Sequence, residues 1–217
     1  MDQKEFQSAI KQYASLIESI RQSAHDLHAS VNQIYGKDHP YGYHLDMVAH
    51  LAEEFAHLVC ANEQDIVPIM FGAYYHDSIE DARLTYNDVM KVAKKFMNDE
   101  QALMATEIVY ALTNDKGRNR AERAGEKYYE GIRTTPYAPF LKLCDRVANI
   151  THSCSIEDKE SARMKEIYKQ EVPHFLSSIN PHSSDQRLLV PAELVEVLAE
   201  QLIDELMREE WKASLDL

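Results

Sequence analysis

Apolar residues recur along this chain at spacings of three and four over long intervals, the pattern of helices that bury one face. In residues 4–30, Phe6, Ile10, Tyr13, Leu16, Ile17, Ile20 and His28 fall near one stripe. In residues 44–61, Leu45, Val48, Leu51, Phe55, Leu58 and Val59 fall on another. Between them QIYGKDHPYGY reads as a loop. The segment from Pro68 to Asp81, PIMFGAYYHDSIED, is apolar on nearly every side until His76. It predicts a central buried helix with Pro68 in its first turn. Thr85-Tyr86-Asn87-Asp88 reads as a loose capping box, Asp in place of Glu, opening a further helix. DEQALMATEIVYAL continues the pattern until TNDKG breaks it.

Residues 118–131 are polar and basic (Arg118, Arg120, Arg123, Lys127), and GIRTTPYAP at 131–139 reads as an interruption. FLKLCDRVANITHS follows as an apolar helix carrying Asp145 and Asn149. A second interruption, SINPHSSDQRLLVP, spans 178–191. The last amphipathic helix, AELVEVLAEQLIDELMREEW, falls within 190–213. No alternating run predicts a sheet and no internal repeat is visible. The expectation is an all-α fold in a single domain over residues 1–217.

Composition narrows this picture. A chain of 217 residues with 45% hydrophobic and 27% charged positions has enough apolar surface for one well-buried core. Its formal charge of -13 works against non-specific nucleic-acid binding, which needs a surplus of cations, but not against a small anionic substrate. The N-terminus is charged throughout, unlike a signal peptide, and no apolar run is long enough to span a bilayer. A soluble cytoplasmic protein without a membrane partner is the expectation. Cys60, Cys144 and Cys154 are odd in number and scattered, which fits neither a disulfide framework nor a zinc knuckle.

The chemistry concentrates in AYYHDSIEDARLTYNDV. His76-Asp77 is followed one helical turn later by Glu80-Asp81, so a metal-binding pair and an acid–base pair can share one face. His44 precedes His76 by 32 positions, at the start of an apolar helix, and Asp145 follows Asp77 by 68, inside another. Ionisable groups on apolar helices are expensive unless paired or bound to metal. Two imidazoles and two carboxylates suit a divalent ion such as manganese, iron, cobalt, nickel or zinc, with coordination positions left open. Such an ion activates water and polarises a phosphoryl oxygen, and Glu80 and Asp81 could then move protons.

The pattern His…His-Asp…Asp resembles the HD-domain metal phosphohydrolases. HPYGYHLDMVAHL, YYHDSIEDARLTYNDV, ALTNDKGRNRAE and FLKLCDRVANI are similar, over about residues 22–155, to the hydrolase domain of RelA/SpoT proteins, above all its small stand-alone versions. The resemblance implies an HD-type helical bundle with a metal site between helices. His44, His76, Asp77 and Asp145 would be ligands of one metal ion, manganese in that family, with iron, cobalt, nickel, zinc or magnesium open. It implies Glu80 and Asp81 as the acid–base and water-orienting pair, Asn149 facing ribose or phosphate, and Lys142 near the same cleft. The implied reaction is removal of pyrophosphate from the 3′ position of guanosine tetra- or pentaphosphate.

The chain departs from the family where an Arg-Lys pair ordinarily precedes the Pro-Tyr. Here Tyr35-Gly36 stands, and only Lys37 is basic. A phenol does not replace a base-stacking guanidinium without altering ring preference, although Tyr35 can itself stack. A substrate contact from Tyr35 and Lys37 is therefore expected, with guanine preference open. Two other readings stand beside the first: an HD-type nucleoside monophosphatase, and a non-catalytic module that senses a nucleotide. His50 and His57 are not among the residues to which the resemblance gives a role, and they read as surface or partly buried residues. The C-terminal helix lies outside the matched region and can pack on the domain or on a second subunit, so a homo-oligomer is also open.

Overall fold

The computed structural model describes residues 1–114, 125–156 and 159–203. Among these the chain is mostly helical, with nine α-helices: α1 (Gln3–Ser30), α2 (Gly42–Phe55), α3 (Ile66–Tyr75), α4 (Tyr86–Ala93), α5 (Asp99–Leu112), α6 (Glu126–Thr134), α7 (Ala138–Ser155), α8 (Lys159–Ile179) and α9 (Ala192–Leu202). Arg118, Arg120 and Arg123, and the part of the expected C-terminal helix beyond residue 203, lie outside the described residues. No described helix is long and apolar enough to cross a membrane.

Local chemistry starts the helices where the sequence indicates. The Asp2 side chain accepts the Glu5 N–H to open α1, and Glu5 returns the bond to Asp2 N–H. Thr85 and Asp88 form the expected reciprocal box at α4, and Asn98 with Gln101 makes another at α5. All ten residues of α3 are buried, so it is the central helix, with α1, α2 and α5 packed around it. Gly72 lets α3 approach its neighbours. A Cβ there would fall 2.7 Å from Ile108 of α5 and 2.8 Å from Leu141 of α7. One apolar core draws residues from every helix.

Three expectations are corrected. The helix begun before Pro68 ends at Tyr75, not at Asp81, and His76 caps it. Ser78 N–H turns back to the Tyr75 carbonyl, Asp81 N–H to Asp77, and Leu84 N–H to Ser78, so residues 76–84 form a tight turn closed by Arg83 at φ +62°. Continuing the helix would have stacked Asp77, Glu80 and Asp81 on the negative end of its dipole. Second, Gly131 does not interrupt: α6 runs through it to Thr134, because burying Tyr128, Tyr129 and Ile132 outweighs the roughly 1 kcal/mol cost of a helical glycine.

Third, the loop after α1 contains a small antiparallel hairpin, β1 (Ile34–Tyr35) and β2 (His39–Pro40), with Tyr35 opposite His39. Two-residue strands are too short for alternation to reveal. Gly36 makes the bend at φ +61°, and its missing Cβ admits His152, whose Nε2 would be 2.8 Å from a side chain there. The hairpin is thereby seated on α7 beside Asn149.

Candidate metal centre

His44, His76 and Asp145 are buried, and one ligand atom from each falls within 4.8 Å of the other two. His44 comes from the first turn of α2, His76 from the end of α3, and Asp145 from the middle of α7. His44 Nε2 lies 3.2 Å from His76 Nε2 and 3.2 Å from Asp145 Oδ1. Asp77, in the turn, brings Oδ2 to 2.9 Å from His76 Nε2 and 3.6 Å from His44 Nε2. Three of the four residues singled out as ligands thus converge on one point, and Asp77 adjoins its two histidines.

The donor set fits a divalent cation. His76 Nδ1 lies 2.8 Å from the Ala73 carbonyl, a contact that places the ring proton on Nδ1 and leaves the Nε2 lone pair turned to the centre. Two imidazole nitrogens facing each other at 3.2 Å between two carboxylates need either a proton or a cation between them. Electrostatics say the same. Burial opposes the charge of Asp145, but Lys142, His44 and His76 outweigh it and hold the carboxyl well below its usual range. Asp77 is likewise held low, against burial, by His76 and His44. Burial opposes protonation of His44, yet the Asp145 and Asp77 carboxylates raise it to about 9. Such a site attracts positive charge.

Asp145 is gripped from two sides. Lys142 Nζ donates to Oδ2 at 2.9 Å, and Asn149 Nδ2 donates to Oδ1 at 2.7 Å. Lys142 is buried and stands over the Tyr128 ring at 5.7 Å from its centroid. Tyr35 donates its hydroxyl to Asn149 Oδ1 at 3.0 Å and lays its ring on His44. Of the residues expected to touch substrate, Lys142, Asn149 and Tyr35 therefore lie within the network around Asp145. Lys37 is exposed at the hairpin turn.

Glu80 and Asp81 sit in the turn beyond Asp77 and are electrostatically different from it. Burial raises the Glu80 carboxyl; two bonds from Asn114 Nδ2, at 2.8 and 3.1 Å, partly offset this, and the Asp77 charge adds to it. Asp81 is raised by burial and by Asp77. Two carboxyls held below their usual range thus adjoin two held above it. His50 is exposed, His57 is partly buried, and neither joins the centre. Cys60 and Cys144 are buried free thiols and Cys154 is half-buried.

Three residues of the site carried no assigned role in the sequence. Tyr41 donates a short hydrogen bond to Asp77 Oδ2, Asn114 holds Glu80, and His28 stacks on Tyr41 with ring centroids 4.6 Å apart. Tyr41 stands three residues before His44 and Asn114 just after an apolar helix; such spacing marks them as near the site without assigning a bond. His28 shares the apolar stripe of α1, where a polar residue was the available signal. Comparison of the chain with protein-family models, curated proteins and solved structures returns no match.

Proposed function

We propose that this protein is a metal-dependent phosphohydrolase of the HD type acting on a nucleotide, with a 3′-pyrophosphohydrolase activity toward guanosine 3′,5′-bis(diphosphate) as the leading substrate reading. The observation that carries the chemistry is the convergence of His44, His76 and Asp145, with Asp77 beside them, next to a second carboxylate pair of raised pKa. The substrate class rests on the resemblance of HPYGYH, HD-x-x-ED and KLCDRVAN to the stand-alone RelA/SpoT hydrolases.

His44, His76, Asp77 and Asp145 would hold the ion, and manganese is the first candidate. When bound, a divalent cation supplies Lewis acidity toward a phosphoryl oxygen and the attacking water. Lys142 and Asn149 keep Asp145 aimed inward, and the Ala73 carbonyl keeps the Nε2 of His76 aimed inward. Glu80, anchored by Asn114, and Asp81 are the groups suited to take a proton from water and return it to the leaving oxygen, since a raised carboxyl pKa lies nearer neutrality.

A second reading, a nucleoside monophosphatase at the same centre, is favoured by Tyr35. Its ring is engaged by His44 at 4.7 Å and His152 at 4.5 Å, where the resembling family carries an Arg-Lys pair that packs on guanine. The deciding experiment incubates the protein and manganese with guanosine tetraphosphate and with a panel of nucleoside monophosphates. Pyrophosphate release from the first supports the leading substrate; release of phosphate alone, from the second, replaces it. Absence of turnover in both, with manganese bound, leaves a nucleotide-sensing module instead of an enzyme.

A further inference from the structure

Tyr41 joins two ligand-bearing segments that are remote in sequence. Its carbonyl accepts the His44 N–H at 2.9 Å and the Leu45 N–H at 3.4 Å, so its backbone closes the first turn of α2. Its hydroxyl donates to Asp77 Oδ2, in the turn after α3. The ring is buried and packed on three aromatic neighbours. It lies flat on His28, 11° from parallel, and edge-on to His44 at 5.6 Å and to Tyr35 at 6.1 Å. With its ring held by packing, the phenol has little freedom to choose where its hydroxyl points.

We propose that Tyr41 is a positioning residue for the metal centre, orienting the Asp77 carboxylate against the helix that carries His44. The role rests on the divalent-cation reading of the site and goes beyond it by naming what aligns its most exposed ligand. Asp145 has Lys142 and Asn149 as outer partners, and His76 has the Ala73 carbonyl. Asp77 has Tyr41, whose bond occupies the same Oδ2 that faces both imidazoles. A carboxylate in a turn is held less firmly than one in mid-helix, so the outer hydrogen bond decides which way it faces.

The test measures manganese binding by the full chain through the free-Mn2+ paramagnetic resonance signal, alongside melting of the metal-free protein. Tyr41→Phe keeps the ring and removes the hydroxyl. It is expected to weaken manganese affinity by about 10–100-fold, the range for outer partners of metal ligands. The control is Tyr137→Phe, which removes a phenol-to-carboxylate bond of the same kind, Tyr137 to Asp65 Oδ2 at 2.5 Å, away from the centre. It is expected to lower the melting temperature while leaving manganese affinity at the wild-type value. Combining Tyr41→Phe with Asp77→Asn should weaken binding no further than Asp77→Asn alone.

Wild-type affinity in Tyr41→Phe overturns the proposal while the metal reading survives. An equal loss in Tyr137→Phe, or additive losses in the double variant, overturns it also, since general loosening would then account for the effect. Failure of the wild-type protein to bind manganese, cobalt or zinc is a different result: it removes the metal reading, and the positioning role with it.

Discussion

The ring of Tyr35 lies on the ring of His44 with centroids 4.7 Å apart and planes 20° from parallel, while its hydroxyl reaches past that ring to Asn149. A residue of the β-hairpin thus covers one candidate ligand and braces the partner of another. Its hydroxyl supports Asn149, and Asn149 supports Asp145. Tyr35→Phe keeps the stack and removes the brace, so folding stability should fall by only about 1 kcal/mol. Manganese affinity should fall too, and by less than in Tyr41→Phe, because the lost bond is one residue further from the ligand. Denaturant titration and metal titration of the same preparation check both; a loss larger than that of Tyr41→Phe would contradict the order.

Asp145 faces Lys142 on one oxygen and His44 on the other. Asp145→Asn removes the counter-charge of buried Lys142 and should destabilise the metal-free protein by about 3–5 kcal/mol, as in other buried pairs broken on one side. It should also abolish stoichiometric metal uptake, read by elemental analysis after manganese loading and desalting. In the wild-type protein, manganese at about a hundred times its Kd should add ~2.7 kcal/mol and raise the melting temperature by roughly 5–10 °C, reversed by a chelator. A melting temperature indifferent to every divalent ion tested would argue against a cation at this site.

His28 makes stability depend on acid. An unfolded imidazole titrates near 6.5, whereas burial lowers the folded one to about 4, an effect the Asp77 charge only partly offsets. Between those values the unfolded chain binds the proton and the folded chain does not. The stabilising contribution is therefore complete above pH 6.5 and is lost as the pH falls from 6.5 toward 4, on the order of 3 kcal/mol in all. Chemical denaturation at pH 7 and pH 4.5 should show the loss in the wild-type protein. It should be smaller in His28→Phe, which keeps an aromatic ring against Tyr41; equal slopes in the two would exclude His28 as the source.

Two glycines should respond to alanine in opposite directions. Gly36 has φ +61°, and a Cβ there would fall 2.8 Å from His152 Nε2, so Gly36→Ala should cost about 1–2 kcal/mol and lift the hairpin from α7. Gly131 lies within α6 with nothing within 4 Å of a built Cβ, and Gly131→Ala should stabilise by about 0.5–1 kcal/mol. Thermal melts of the two variants separate these signs directly.

Much of the fold is legible in the sequence. The stripes of α1 and α2, the fully apolar α3 and the Thr85–Asp88 box follow from spacing and capping chemistry, because a helix records its buried face in its own period. The candidate centre was legible as residue types: His44, His76, Asp77 and Asp145 stood out as costly groups on apolar segments. The ends of elements were less so. Helix α3 stops at Tyr75, α6 passes through Gly131, and the hairpin at 34–40 escapes notice, because each outcome depends on contacts with distant segments.

By itself, then, the sequence determined which faces are buried and which side chains are too polar for the helices that bear them. Only the tertiary structure decided that His44, His76 and Asp145, separated by 32 and 69 positions, bring ligand atoms within 4.8 Å of one another. It also decided that Lys142 and Asn149 turn to Asp145, that Asn114 holds Glu80, and that Tyr41 reaches Asp77. The physical reason is that local periodicity specifies how a helix rotates toward the core. Where two helices bring their polar atoms together, and which rotamers that leaves open, depends on the packing of all the helices around α3.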